Sequence, residues 1–140
     1  MKILIAVDGS PSSLRAVEYV TRHADIFGAS AEITLIAVHL PMPSPRVRSL
    51  VGKEVLDEYY SDESDEALAA ALAHLRDKGR SFATLKRVGD PGQEIATAAA
   101  DGFQMIIMGT HGRTALGNLV MGSVAMRVLA ESSVPVLLVK

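Results

Sequence analysis

The order of apolar and amphipathic segments predicts an α/β fold, a doubly wound five-stranded parallel sheet with helices on both faces. Three observations predict it. Five short apolar segments recur along the 140 residues. Stretches long enough for crossover helices separate them, as parallel neighbours require. Most of the five are almost continuously aliphatic, which suits strands buried on both faces. The resulting β-α-β-α-β-α-β-α-β order is that of a layered α/β domain. No internal repeat is visible, and the length fits one domain spanning residues 1–140.

The strands are read at Lys2–Val7, Ile33–Val38, Phe82–Val88, Gln104–Met108 and Val134–Val139. The first helix, capped by Ser12 or Ser13, runs to about Phe27 and stops at Gly28, with Ala16, Val17, Val20 and Ala24 as its apolar stripe. The second carries Leu68, Leu72 and Leu75 and stops at Gly79. The acids Asp57, Glu58, Asp62, Glu63, Asp65 and Glu66 precede that stripe, where they solvate the helix and complement its dipole. A metal-binding cluster is the alternative reading. A third helix starts near Pro91 and ends around Asp101-Gly102. The fourth follows Gly122 and turns Val124, Val128 and Leu129 inward. Between them, Leu40–Lys53 holds Pro41, Pro43 and Pro45, whose spacing opposes both helix and central strand, and reads as an exposed excursion or a lid.

Two strands belong at edges. Strand three carries Lys86 and Arg87, and strand five contains Pro135, which cannot donate to a ladder. The remainder of strand five is wholly apolar, and an uncovered apolar edge invites pairing. A second subunit covering it, a homodimer through residues 134–139, is the expectation.

Composition excludes much. With no cysteine, disulfides, thiolate metal sites and cysteine nucleophiles are ruled out. A net charge of −2 gives no reason to approach nucleic acid or an anionic membrane. The apolar run after Met1-Lys2 stops at Asp8, short of a secretory signal, and no stretch approaches the roughly 20 apolar residues of a membrane span. A cytoplasmic protein is the expectation.

In sheets of this class, ligands bind beyond the strand C-termini, where strand order reverses. Asp8-Gly9-Ser10, His39 and Gly109-Thr110-His111-Gly112 follow strands one, two and four. Gly109, Gly112, Gly117 and Gly122 mark the fourth crossover, with Ser123 opening the next helix and Arg113 nearby as a cation. Helix N-termini offer free N–H groups to phosphate, and glycine allows close approach. The spacing matches neither common phosphate motif, so an anion or nucleotide site and a loop of ordinary turns both stand. Asp8 reads as a ligand contact at the switch point, with a turn-former as the alternative. His23 and His74 read as structural. His39 and His111 read as cleft residues that bind rather than catalyse.

These residues resemble the universal stress proteins over the whole chain. The likeness is carried by Ile3-Leu4-Ile5-Ala6-Val7-Asp8-Gly9-Ser10, Gly89-Asp90-Pro91, Ile106-Ile107-Met108-Gly109-Thr110-His111-Gly112, and Ser133-Val134-Pro135-Val136-Leu137-Leu138-Val139. Gly109, Gly112, Gly122 and Ser123 match the Gly-x2-Gly-x9-Gly-Ser/Thr pattern of the family's nucleotide-binding branch. The resemblance implies a Rossmann-like sheet of order 3-2-1-4-5, often dimeric through strand five. It also implies ATP, with magnesium as its companion ion, as the ligand. Asp8 and the Val38 backbone would then face the adenosine end, and Gly109, Gly112, Gly122 and Ser123 would hold ribose and phosphates, largely through backbone N–H groups. Gly9, His39, Met108, His111, Arg113 and Val124 complete the expected nucleotide-binding set. Ala125 departs from relatives that carry threonine there, which removes a hydroxyl from the outer phosphate contacts and would weaken affinity or favour a shorter nucleotide.

The expected function is a homodimeric, nucleotide-gated regulator of a stress response. Binding would order the 109–123 loop and change a surface read by a regulatory protein partner. Slow ATP hydrolysis or phosphotransfer, and a nucleotide-free dimerisation scaffold, are the alternatives.

Overall fold

A computed structural model describes residues 1–112 and 121–140. In chain order the elements are β1 (Lys2–Ala6), α1 (Pro11–Arg22), α2 (Ala24–Phe27), β2 (Glu32–His39), α3 (Pro45–Val51), α4 (Lys53–Asp77), β3 (Phe82–Val88), α5 (Pro91–Ala99), β4 (Met105–Gly109), α6 (Ser123–Glu131) and β5 (Val136–Val139). The strands pair in the order β3-β2-β1-β4-β5, every neighbour parallel. Strand order and orientation are those implied by the resemblance.

Side chains alternate across a strand, and β1 shows the consequence. Ile3 and Ile5 enter one core with Val17, Val20, Leu68 and Leu75 from α1 and α4. Leu4 and Ala6 enter the other with Ile95, Ala99 and Val128 from α5 and α6. Full burial of such aliphatic side chains contributes about 1.5–3 kcal/mol each, so the central strands anchor the domain. That anchoring fixes where the strand ends, and hence the site, must lie.

Several boundaries differ from the sequence expectation, each for a local reason. The cap of α1 is Ser10, not Ser12 or Ser13: its extended backbone lets Oγ accept from the Ser13 N–H at 3.1 Å. Pro11 then opens the helix, where its missing N–H costs nothing. The helix does not continue to Phe27. It ends at Arg22, His23 leaves helical geometry, and α2 is a separate turn closed by Gly28 at φ 84°.

The Leu40–Lys53 excursion is the largest correction. It contains α3, because Ser44 caps through Oγ and Pro45 occupies the first helical turn, the one place in a helix where proline is favoured. Helix α4 starts at Lys53, so the acids from Asp57 onward lie inside it rather than ahead of it. They coat a solvent-facing segment, and Asp65 pairs with Lys86 of β3 at 2.7 Å. Among the described residues no group of three or more His, Asp or Glu converges as a metal site. No helix among them is long and apolar enough to cross a membrane.

Strand five begins at Val136. Pro135 precedes it, using only its carbonyl, which accepts from the Ile106 N–H at 2.9 Å. On α6, Ala125 and Val128 point inward as the helical period demands, but Leu129 does not: it is 45% exposed beside Met126 at 59%. The stripe is narrower than the sequence suggests because α5 packs against the helix's other flank.

Candidate functional site

Strand order reverses at β1, whose neighbours β2 and β4 lead away in opposite directions. At the C-terminal ends of these three strands lies a cleft of about 610 Å³, walled by the first turns of α5 and α6. Asp8, Val38, His39, Met108, Gly109, His111, Gly112, Gly122, Ser123 and Val124 all line it. Segments separated by more than a hundred positions are thus brought to one place. Gly9 does not join them. It borders a smaller depression of about 160 Å³ beside Leu14 and Ala70, and its φ of 81° shows why glycine is needed in that turn. Arg113 and Gly117 lie outside the described residues.

The polar framework is built from the turn after β1. Asp8 Oδ1 accepts from the Ser10 N–H at 2.9 Å, closing an Asx turn that delivers Ser10 to its capping position. Its turn-forming role is therefore present. The second oxygen, Oδ2, faces Gly112: a β-carbon there would stand 3.1 Å from it. Across the loop, the His111 N–H points to Ser12 Oγ at 3.4 Å, and its imidazole Nδ1 shares a 2.9 Å hydrogen bond with Thr110 Oγ1.

The three described motif glycines do different work. Gly109 packs directly on α1, since a β-carbon would fall 2.6 Å from the Ser12 carbonyl carbon and oxygen. Gly112 leaves room beside Asp8. Gly122 has an ordinary extended backbone (φ −75°, ψ 157°), and a β-carbon would meet nothing closer than 3.4 Å. Among the described residues nothing demands glycine there. Its N–H donates to the Thr110 carbonyl at 2.7 Å, and no side chain caps α6. Ser123 and Val124, the first residues of α6, line the cleft, and the first N–H groups of a helix are the usual place for an anion.

The opposite wall is apolar, formed by Ile36, Val38, Leu40, Pro91 and Ile95. Ile36, Leu40, Pro91 and Ile95, with Ser13 and Ala67, are residues that the sequence reading missed as lining. Only Pro91, directly after Gly89-Asp90, carried a positional signal. The peptide groups of Val38 also face this space. The Glu32 N–H donates to the Met1 carbonyl and the Val7 N–H to the Ile36 carbonyl, both at 2.9 Å, so even-numbered positions of β2 turn toward β1. Since β1 pairs no further than Ala6 with Ile36, Val38 looks past its end into the cleft.

The two cleft helices are tied together outside it. Asp90 caps α5 through Oδ1, while Oδ2 lies 3.3 Å from the Arg127 guanidinium of α6. The hydrogen bond that Arg127 Nε donates to Glu131 Oε1, with Asp90 adding attraction, holds Arg127 above its usual pKa. Gly92 makes the approach feasible, since a β-carbon would stand 2.7 Å from Arg127 Cβ.

Fold and cleft together define an open, doubly wound α/β domain whose crevice lies at the topological switch point. The chain belongs to the universal stress protein family, whose model matches residues 1–140. It is 34% identical to a universal stress protein of Methanocaldococcus jannaschii over 140 residues, covering 99% of this chain and 81% of the relative. It is equally 34% identical to one of Thermus aquaticus over 142 residues, covering 99% and 97%. Among solved structures, the M. jannaschii protein MJ0577 superposes with a TM-score of 0.80 at 30% identity, covering 99% of this chain and 94% of its own. A universal stress protein in complex with cAMP (TM-score 0.68, 22% identity, covering 100% and 97%) and an Arabidopsis thaliana family member with AMP bound (0.65, 16%, covering 100% and 91%) share the fold.

Proposed function

We propose that the cleft binds an adenine nucleotide and that the chain acts as a homodimeric, nucleotide-gated regulator in a stress response. The observation that carries the binding reading is the start of α6. Among the described residues, no side chain caps this helix N-terminus beside the cleft, and neither the backbone angles nor the neighbours of Gly122 demand glycine. A phosphate seated on those N–H groups accounts for both features. Asp8 is the one carboxylate lining the cleft among the described residues. It repels phosphate and suits ribose hydroxyls, which sets the ligand's direction. The base then lies against Ile36, Pro91 and Ile95. There the Val38 N–H and carbonyl offer a donor and an acceptor matched to adenine N1 and its amino group. The family members seen with AMP and cAMP add support. ATP with magnesium remains the first ligand to try. Ala125, buried and without a hydroxyl, favours shorter nucleotides.

The dimer reading draws on β5 and α6. Arg127 and Glu131 occupy the flank of α6 toward α5, so exposed Met126 and Leu129 lie on the other flank, beside the open edge of β5. A second copy pairing there buries both.

Purified protein is titrated with ATP, AMP and cAMP, with and without magnesium, while melting temperature and bound ligand are measured. A ligand at 100 times its Kd stabilises by about 2.7 kcal/mol, a rise of several degrees. No rise with any of the three at millimolar concentration rejects the reading.

A further inference from the structure

The peptide group between Thr110 and His111 is held from both sides. Its N–H, on His111, donates to Ser12 Oγ of α1 at 3.4 Å, and its carbonyl, on Thr110, accepts from the Gly122 N–H at 2.7 Å. The peptide is trans, and in a planar trans peptide N–H and C=O point in opposite directions. An N–H turned toward α1 therefore turns the carbonyl toward the start of α6. Thr110 is anchored just before, where its N–H donates to the Val139 carbonyl of β5 at 3.1 Å. Ser12 is 5% exposed and lies against Gly109, where a β-carbon would run into its Oγ. The three serines at the start of α1 divide the work. Ser10 caps the helix, Ser13 Oγ accepts from the Asp8 N–H at 3.4 Å, and Ser12 Oγ accepts from the His111 N–H. One helical turn thus holds both the carboxylate loop and the glycine loop of the cleft.

We propose that Ser12 is a positioning residue of the anion site: by fixing the orientation of the Thr110–His111 peptide, it sets the Gly122 N–H and the first turn of α6 beside the cleft. This rests on the nucleotide-binding reading above. Among the described residues Thr110, His111 and Gly122 line the cleft and Ser12 does not, so its hydroxyl acts through the peptide rather than on the ligand. Removing the hydroxyl takes this acceptor from the His111 N–H. A peptide that turns in consequence withdraws the Thr110 carbonyl from Gly122, and the start of α6 loses its tether. A serine that served α1 alone would leave the Gly122 amide, far along the chain, as it is.

The experiment compares wild type with Ser12→Ala in three measurements: melting temperature without ligand, amide hydrogen exchange at His111 and Gly122, and affinity for AMP and ATP. Ser12→Ala is expected to melt within a few degrees of wild type. Its His111 and Gly122 amides should exchange about tenfold faster, and it should bind nucleotide about fivefold more weakly, the worth of one hydrogen bond. Ser10→Ala weakens the cap of α1 without touching the Thr110–His111 peptide, and should lower the melting temperature while leaving Gly122 protected. Equal loss of Gly122 protection in the two variants overturns the proposal, because Ser12 would then act through helix stability alone. Unchanged Gly122 exchange or unchanged nucleotide affinity in Ser12→Ala overturns it as well. Should Ser12→Ala fail to fold, wild type decides: protection at both amides that AMP deepens supports the proposal, and exchange at open-chain rates overturns it. Wild type that binds neither AMP nor ATP rejects the parent reading too, whereas wild type that binds normally confines the failure to Ser12.

Discussion

Gly109 and Ser12 touch across the top of the sheet: a β-carbon on Gly109 would lie 2.6 Å from the Ser12 carbonyl oxygen. This contact seats the first turn of α1 against the end of β4. The first glycine of the motif is therefore needed by the fold whether or not a ligand binds. Gly122 differs, since its β-carbon position is in ordinary contact only.

That difference is measurable. Gly109→Ala forces backbone against backbone and should cost about 1–3 kcal/mol, lowering the melting temperature by several degrees without ligand. Gly122→Ala should change ligand-free stability by no more than about 1 kcal/mol but weaken nucleotide binding at least tenfold. Thermal melts and titration calorimetry on both variants decide. If Gly122→Ala binds as wild type does, phosphate does not sit at the start of α6.

Asp8 serves both turn and cleft, and two substitutions part the roles. Asp8→Asn retains an oxygen for the Ser10 N–H, so stability should hold within about 0.5 kcal/mol while nucleotide affinity falls. Asp8→Ala also opens the Asx turn and should cost about 1 kcal/mol further. Chemical denaturation and binding isotherms distinguish them. An Asn variant with full affinity would remove Asp8 from the ligand's contacts.

Ser10→Ala tests the corrected helix start. The change deletes the oxygen that accepts from the Ser13 N–H, and loss of an N-cap typically costs about 1 kcal/mol. Ser12→Ala should cost less, since Ser12 is not the cap. Reversal of that order in urea unfolding would contradict the assignment.

The proposed dimer surface is tested on α6, where charge at the exposed Met126 and Leu129 does not enter the core. Met126→Glu combined with Leu129→Glu should convert dimer to monomer in sedimentation experiments. The monomer should melt within a few degrees of wild type at matched low concentration. A wild-type protein already monomeric at tens of micromolar would dismiss the interface.

By itself the sequence determined the elements that depend on composition and period: the aliphatic strands, the stripes of α1 and α4, and the stop at Gly79. Those signals are local, because a strand buried on both faces must be apolar throughout and a helix must repeat near 3.6 residues. It misjudged Leu40–Lys53, where three prolines outweighed one serine cap, and Leu129, whose exposure depends on where α5 sits. Only the tertiary structure decided which residues meet. The juxtaposition of Asp8 with Gly112 and the turning of Val38 beyond the end of β1 both follow from strand order and register. The packing of Gly109 on Ser12, as against the ordinary contacts around Gly122, is of the same kind. Identical residue types played different parts because the space around each glycine is set by what the fold packs against it, from Ser12 at Gly109 to Thr110 at Gly122, which no local pattern encodes.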